Sequence, residues 1–139
     1  MKTLFILSSL FLAIRTAPTL QAVSVTGKFF CGAEPAVNIQ VKLIERDYGR
    51  DRDDLLDEQR TDENGEFKVI GATHENGPIE PAIKIYHDCN DGEQKCQKRL
   101  FWLVPAKYVS VNLSSVTVFD LGTINLELGF GNEKRDCKH

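Results

Sequence analysis

The 139-residue chain lacks any apolar run long enough to cross a membrane. Its longest apolar stretch, near the start, is shorter than the roughly 20 residues that a membrane helix needs. Internal repeats, low-complexity segments and interdomain linkers are also absent, which favours a single domain. Nor is there an excess of basic residues, because 17 Lys and Arg stand against 20 Asp and Glu. We therefore expect neither an integral membrane protein nor a nucleic-acid partner.

Recognisable catalytic residues are scarce as well. The sequence contains no Gly-x-Ser-x-Gly elbow, and its three histidines are spread over a loop, a strand end and the C-terminus. They are His74, His87 and His139. We interpret His87, which ends an alternating strand, as a ring packed at the rim of the core and not as a metal ligand or proton switch. We expect no enzymatic activity and no cofactor.

The acidic run from Asp47 to Glu58 invites a calcium hypothesis, since Ca²⁺ prefers several carboxylate oxygens. The run departs from the EF-hand pattern, because Leu56 stands where glycine is required and Asp62 stands where a bidentate glutamate belongs. Arginines between the acids also reduce its negative charge. We interpret the run as a solvated loop and expect no metal site.

The first residues have the layout of a secretory signal. A positively charged start is followed by an apolar run from Leu4 to Ile14 and by small or polar residues as far as Ala22. We place cleavage near Ala22, which predicts a signal peptide over 1–22 and a secreted, extracellular domain over 23–139. Leu20, three residues before that bond, fits a signal peptidase site poorly, so the exact bond stays open.

Four cysteines remain in the secreted domain, and an even number in an oxidising compartment predicts two disulfides. Six residues separate Cys89 from Cys96, whereas zinc sites usually use cysteines two to four residues apart. Four cysteines allow three pairings. Closeness in sequence favours a Cys89–Cys96 bridge, which leaves Cys31 with Cys137 and would tie the first strand to the tail. We expect the cysteines to be bridged and not nucleophilic.

Alternation of apolar and polar residues predicts strands along most of the secreted domain. The clearest cases are Val23–Cys31, Val37–Leu43 and Ile83–Asp88. The pair Asn64-Gly65 predicts a tight hairpin turn, because such a pair supplies positive φ. We expect roughly seven or eight short strands in an all-β, antiparallel two-sheet sandwich with almost no helix. We expect no regular secondary structure in the tail Gly129–His139.

The segment Leu100–Val104 is apolar on both faces, which is unusual for a strand whose second face meets water. Something must cover the second face, which Phe101 and Leu103 form. The alternatives are a segment of the same chain such as Phe130, a self-association surface, or a docking patch for an apolar ligand or a membrane. Neighbouring cations would assist contact with anionic head groups. The predicted binding patch comprises Lys98, Arg99, Phe101, Trp102, Leu103 and Lys107.

Asn112-Leu113-Ser114 is an N-glycosylation sequon in a polar stretch between strands. Because such loops are accessible to the glycosyltransferase, we predict a glycan at Asn112. A glycan there would limit which surface of the domain can engage partners.

Several motifs follow one another along the secreted domain. In order they are Val-Thr-Gly-Lys-Phe-Phe-Cys-Gly, Thr-Asp-Glu-Asn-Gly-Glu-Phe, Ile-Lys-Ile-Tyr-His-Asp-Cys-Asn-Asp-Gly and Asp-Leu-Gly-Thr-Ile-Asn-Leu. This series resembles the nematode transthyretin-like family, and the resemblance covers essentially the whole secreted domain. It implies a transthyretin-like (prealbumin-like) sandwich, secretion and a role at the extracellular or cell-surface level, and it implies no activity by itself.

The wider relatives of transthyretin include a urate-pathway hydrolase, which resembles transthyretin but uses paired histidines, an arginine and a C-terminal Tyr-Arg-Gly-Ser. This chain ends in Arg-Asp-Cys-Lys-His instead, and matching strands supply no pair of histidines. The enzyme interpretation is therefore disfavoured.

We interpret the chain as a secreted, non-enzymatic binding protein. The first hypothesis, which the resemblance suggests, is an extracellular adaptor that recognises a receptor or an anionic lipid such as phosphatidylserine. The second is a carrier of a small apolar ligand, which would need the channel of a tetramer. The third is a structural or host-exposed secreted protein without a small ligand.

Overall fold

The computed structural model describes residues 12–14, 17–47, 52–92 and 94–139. These ranges contain nine strands and two short 3₁₀ turns, Ala106–Tyr108 and Leu113–Ser115. The strands are β1 (Thr19–Cys31), β2 (Glu34–Pro35), β3 (Gln40–Glu45), β4 (Asp54–Arg60), β5 (Glu66–Glu75), β6 (Pro81–His87), β7 (Gln97–Leu103), β8 (Val118–Asn125) and β9 (Lys134–Asp136). Within the part of the chain that the structure describes, no helix has the length and hydrophobicity needed to span a bilayer.

The strands form two sheets, which confirms the predicted all-β sandwich. The five-stranded sheet has the order β4-β3-β6-β7-β9, and its pairs are antiparallel. In the four-stranded sheet, β1 pairs antiparallel with β2 and β5 but parallel with β8. The parallel pair departs from the expectation. After β7 the chain crosses to the other sheet and reaches the start of β1, where Ser110 and Ala22 exchange backbone hydrogen bonds. Because β8 follows from that point, it runs in the same direction as β1.

Alternation places the apolar residues of the strands in the space between the sheets. The predicted alternating segments correspond to β1, β3 and β6, with ends shifted by a few residues. Burying a large apolar side chain contributes about 1.5–3 kcal/mol, so this layer is the main favourable term in folding. Its fully buried members include Val23, Val25, Phe29, Val41, Leu43, Val69, Ile83, Ile85 and Leu100.

The tight turn predicted at Asn64-Gly65 is present and connects β4 to β5, but the predicted hairpin is wrong, because the two strands belong to different sheets and do not pair. The amide of Gly65 donates to the carbonyl of Asp62 at 2.9 Å, and the Asp62 carboxylate accepts from the amides of Asn64 and Glu66. Gly65 has a φ of 76°, and a side chain there would collide with the carbonyl of Phe29. Asn64 has no positive φ, so the glycine alone supplies the unusual backbone conformation.

The predicted disulfide pairing is wrong. Cys31 pairs with Cys89, and Cys96 pairs with Cys137, at Cα separations of 5.7 and 4.7 Å. The β6–β7 ladder ends at His87, and Cys89 continues the inward alternation of Ile83, Ile85 and His87. Cys89 therefore turns inward, where it is 7 % exposed, and meets Cys31 from the other sheet.

The second bridge follows from a strand in the tail, where irregular structure was expected. Strand β9 pairs with β7 and sets Gln97 opposite Asp136, which brings the adjoining Cys96 and Cys137 together. Closeness in sequence is a poor guide here, because the sheet register decides which sulfurs meet. All four cysteines are nevertheless in disulfides, as expected.

Strand β1 begins on the N-terminal side of the predicted cleavage site. Ala22 is fully buried and pairs with Ala72. The side-chain amide of Gln21 donates to the carbonyl of Gly77 at 2.7 Å, and its oxygen accepts from the amide of Ile79 at 2.9 Å. The segment just before the predicted site is thus part of the sheet, while residues 1–11 and 15–16 of the predicted signal lie outside the described residues.

Candidate binding surface

Strand β7 divides the predicted binding patch between its two faces. Leu100, on the inner face, is fully buried, and Trp102 on the same face is half-buried. The Trp102 ring meets Phe130 edge-on, with ring centroids 5.5 Å apart. One expected alternative was that Phe130 of the same chain covers the second face of β7. Phe130 does pack on β7, but on Trp102 of the inner face and not on the face that carries Phe101.

Three members of the patch, Arg99, Phe101 and Leu103, lie together on the opposite face of β7. We call this side of the five-stranded sheet the outer face. The guanidinium of Arg46 lies 5.5 Å from the centre of the Phe101 ring. Leu103 is 48 % exposed. The described residues therefore cover the second face of β7 only in part.

The two lysines of the predicted patch do not join the outer face. Lys98 lies on the inner side, and its Nζ donates to the carbonyl of Cys89 at 3.1 Å. Lys107 is exposed in the 3₁₀ turn beyond β7, with its Nζ 5.2 Å from the centre of the Tyr108 ring. The structure thus keeps three members of the predicted patch on one face and separates the other three from it.

An apolar row crosses the outer face at the end of β7. The strand registers set Leu103 opposite Ala82, Ala82 opposite Ile44 and Ile44 opposite Leu55. Partners in an antiparallel ladder share a face, so these four side chains form one continuous row. Ile44 and Ala82 are buried, whereas Leu55 is 55 % exposed. The row therefore presents two exposed leucines, Leu55 and Leu103, on an apolar base.

A basic row lies beside the apolar row. Lys42 on β3 is opposite Lys84 on β6, and Lys84 is opposite Phe101. At the edge of the sheet, Glu58 on β4 is opposite Lys42, so the row ends in a carboxylate. One step further along the sheet, Tyr86 is opposite Arg99. The ammonium of Lys42 lies 5.4 Å from the centre of the Tyr86 ring. Apolar and cationic groups are therefore neighbours on a single sheet face.

Two carboxylates hold cations of this surface in place. The Nζ of Lys84 is 2.9 Å from Asp53 Oδ2, and Arg99 Nη1 is 3.4 Å from Asp136 Oδ2. Burial alone would raise the pKa of Asp53, but hydrogen bonds from Lys84 and from the amide of Asp47 lower it below its ordinary value. Asp53 is thus ionised at neutral pH and compensates part of the positive charge of the row.

The C-terminal residues close one side of the outer face. His139 stacks on Tyr86, with ring centroids 4.0 Å apart and an interplanar angle of 17°. Its Nε2 lies 2.7 Å from Gln97 Oε1. A depression of about 730 Å³ lies beside this stack. It is lined by Lys42, Ile44, Arg52, Asp53, Leu55, Lys84, Tyr86, Arg99, Asp136, Lys138 and His139.

Sequence reasoning did not assign Lys42, Lys84 or Tyr86 to a binding surface. A signal was present, since the alternation of β3 and β6 sets these three residues on the side away from the core. The missing information was the register of β3, β6 and β7, which makes the three residues neighbours of Phe101. No sequence signal indicated that His139 would stack on Tyr86.

His87 is a structural residue in this arrangement. Its side chain is fully buried, its Nδ1 accepts from the amide of Cys89 at 3.2 Å, and its Nε2 lies 3.1 Å from Glu133 Oε1. Burial lowers the pKa of His87, although Glu133 acts in the opposite direction. The ring is therefore neutral at pH 7 and donates its Nε2 proton to Glu133. Both nitrogens are satisfied within the chain, as expected of a packed histidine.

The sequon lies at the surface. Asn112 is exposed, and its Oδ1 accepts from the amide and the hydroxyl of Ser114 at 2.9 and 2.7 Å. Asn112 precedes the second 3₁₀ turn and follows Ser110, which forms a bridge with Ala22 in the four-stranded sheet. Glycosylation of Asn112 stays a prediction.

A known protein family matches more than half of the chain. The model of the transthyretin-like family matches residues 26–105, a range that begins within β1 and ends just after β7. The chain belongs to the transthyretin-like family. In this transthyretin-like protein the β3, β6 and β7 residues of the outer face lie inside the matched range. Asp136 and His139, which border the surface, lie beyond it.

Relatives of this transthyretin-like protein occur in Caenorhabditis elegans. It is 43 % identical to Transthyretin-like protein 33, over 100 % of this chain and 99 % of the relative. It is 42 % identical to Transthyretin-like protein 46, over 98 % of this chain and 76 % of the relative. It is 40 % identical to Transthyretin-like protein 5, over 86 % of each chain. These names state a family and neither a ligand nor a reaction.

Proposed function

We propose that this transthyretin-like protein is a secreted binding protein, without catalytic activity, that recognises an anionic lipid surface through its outer face. The observation that carries the proposal is the apolar row lying directly beside the basic row on one sheet face. A phosphatidylserine-containing membrane offers the complementary pair, a negative head group above an apolar layer. Secretion is supported by the two disulfides and by the signal-like start of the sequence.

Neither row is sufficient by itself. A cation near an anionic membrane contributes about 1 kcal/mol, and the effect falls within a Debye length. Lys84 and Arg99 already have carboxylate partners, so their contribution is smaller than that of a free cation. The exposed parts of Leu55 and Leu103 must therefore enter the interfacial layer for stable binding. The proposal predicts that salt weakens binding and that binding depends on the side chains of Leu55 and Leu103.

The test is flotation of the purified, glycosylated protein with liposomes. Neutral phosphatidylcholine vesicles are compared with vesicles that also contain phosphatidylserine, at low and at high salt. We expect binding to the anionic vesicles alone, weakened by salt. Binding of equal strength to both compositions would contradict a role for the basic row.

Matched variants locate the site. Lys42→Glu and Leu103→Ser each remove one element of the outer face, and both are expected to abolish flotation. Lys68→Glu and Leu128→Ser change the same residue types at exposed positions outside it, in β5 and in the turn after β8, and are expected to float normally. Equal loss in the test and control variants would show that the outer face is not the site.

The remaining hypotheses are outcomes of the same experiment. Sedimentation mass is recorded on the flotation sample, since a carrier of an apolar ligand needs the channel of an oligomer. A folded monomer that binds no vesicle would exclude both the lipid adaptor and the channel carrier. It would leave a cell-surface protein receptor as the partner class for the outer face.

A further inference from the structure

Three carboxylates meet at one end of the sandwich. Glu45 ends β3, Asp54 begins β4 and Glu75 ends β5. The β3–β4 register sets Glu45 directly opposite Asp54. One carboxylate oxygen from each of the three residues lies within 4.8 Å of the others. The cluster therefore joins the edge of the five-stranded sheet to the four-stranded sheet, since β5 belongs to the latter.

The central member of this cluster is a buried acid. Glu45 is only 7 % exposed, and its Oε2 has no hydrogen-bond partner among the residues that the structure describes. Leaving a buried polar oxygen unpaired is costly, and a buried charge costs more. Burial raises the pKa of Glu45 to about 7, and the charges of Glu75, Asp47 and Asp54 act in the same direction. A hydrogen bond between the carboxyl groups of Glu45 and Glu75 raises this pKa further, and a cation at this position would compensate the charge of the three carboxylates.

Among the described residues, the ion pairs nearest to the cluster join their cations to carboxylates outside it. Arg46, the residue after Glu45, pairs with Glu80 at 3.3 Å. Lys84 pairs with Asp53 at 2.9 Å. The fold thus brings three acids from three strands together and directs these neighbouring cations to other carboxylates.

We propose that Glu45, Asp54 and Glu75 bind a divalent calcium ion that bridges the two sheets. The donors are all carboxylate oxygens, without the nitrogen or sulfur that zinc and copper sites use. Ca²⁺ takes six to eight oxygens in flexible geometry, whereas Mg²⁺ demands a near-ideal octahedron. Glu75 is half-buried and Asp54 is exposed, so water has access to the remaining coordination positions. The unpartnered oxygen of Glu45 provides the buried ligand.

Calorimetric titration of the purified protein with CaCl₂ tests this site. We expect one ion per chain, with an affinity of about 10⁻⁴–10⁻³ M, the range of extracellular calcium modules, and a calcium-dependent rise in Tm. Neither heat nor a Tm shift at about 10 mM CaCl₂, well above that range, would overturn the proposal. An equal response to MgCl₂ would overturn the assignment to calcium.

Substitutions distinguish calcium binding at the cluster from nonspecific attraction of calcium to the acidic protein. Glu75→Gln and Asp54→Asn each remove one ligand charge and are expected to weaken binding at least tenfold. Glu63→Gln, an exposed acid in the β4–β5 turn at the other end of the sandwich, is the matched control and is expected to bind normally. Glu45→Gln removes the buried charge, so it should remain folded and lose the calcium-dependent rise in Tm. If Glu75→Gln and Glu63→Gln respond alike, calcium does not bind at this cluster.

Discussion

The two ends of the sandwich differ in how their buried charged groups are paired and in whether disulfides link their strands. At the disulfide end, where β1 and β6 stop, two bridges join strands that are far apart in sequence, and two buried polar side chains pair with charged residues of the tail. His87 bonds Glu133, and Asp91 pairs with Arg135. At the acidic end, Glu45, Asp54 and Glu75 meet without an ion pair among the described residues. One end is therefore closed by covalent bonds and internal salt bridges, whereas at the other end three carboxylates meet without an ion pair among the described residues.

The largest expected effect comes from opening the disulfide end. A Cys31→Ser, Cys89→Ser double variant removes the bridge between the two sheets, whose cysteines are 58 residues apart. We expect a loss of about 2–5 kcal/mol in the free energy of unfolding, measured by urea titration. The matched Cys96→Ser, Cys137→Ser variant frees only the tail strand β9 and is expected to lose less.

Peptide mapping without reduction checks the same bridges directly. It should recover the Cys31 peptide joined to the Cys89 peptide, and Cys96 joined to Cys137. Recovery of a Cys89–Cys96 peptide would contradict the structure and restore the pairing expected from sequence spacing.

A smaller loss is expected from trimming the acidic end. A chain that begins at Val23 lacks the first residues of β1, including both hydrogen bonds of the buried Gln21 side chain. Each such bond contributes about 1 kcal/mol, so unfolding should be easier by roughly 2 kcal/mol than in a chain that begins at Thr19. Intact mass of the secreted protein should accordingly place its N-terminus at or before Thr19. A secreted chain that starts at Val23 and is equally stable would show that this part of β1 is dispensable.

Acidification should weaken the disulfide end. The hydrogen bond from Arg135 lowers the pKa of Asp91 below its ordinary value of 3.8. The unfolded carboxyl therefore binds protons first as pH falls, so the stability from this pair is present above pH 3.8 and is lost as pH falls through the folded pKa. Arg135→Gln should lose stability at pH 7 and show a shallower acid transition. Parallel acid-unfolding curves for the two proteins would argue against this pair.

The smallest expected effect is the titration of His87. Its folded pKa lies below the ordinary 6.5 because of burial, so the unfolded imidazole binds a proton at higher pH than the folded one. Stability from this group is complete above pH 6.5 and declines as pH falls through the folded value. NMR titration should place the His87 midpoint below 6.5. A midpoint above that value would mean that Glu133 outweighs burial.

Local sequence patterns were sufficient for much of the fold. The period-two alternation of β1, β3 and β6 placed Val25, Leu43 and Ile85 in the core, because successive strand residues point to opposite faces. The β4–β5 turn was also predictable, since Gly65 can adopt a φ that other residues avoid. These features depend on residues that are close in sequence, so they can be predicted from one sequence.

Features that depend on register were not predictable. Strand β9 has only three residues, so its segment carries no recognisable alternation, yet its pairing with β7 decides the partner of Cys96. The same holds for half of the predicted binding patch. Lys98 and Trp102 belong to the inner side of β7, while Lys42 and Lys84 join the outer face from strands distant in sequence.

The sequence by itself determined the class of fold, the alternation of its strands and the presence of bridged cysteines, because each follows from the chemistry of adjacent residues. Only the tertiary structure decided which cysteines pair, which cations stand beside Leu103, and that Glu45 meets Asp54 and Glu75. Those outcomes depend on how strands far apart in the chain align. A shift of one residue in that alignment would turn each side chain to the opposite face.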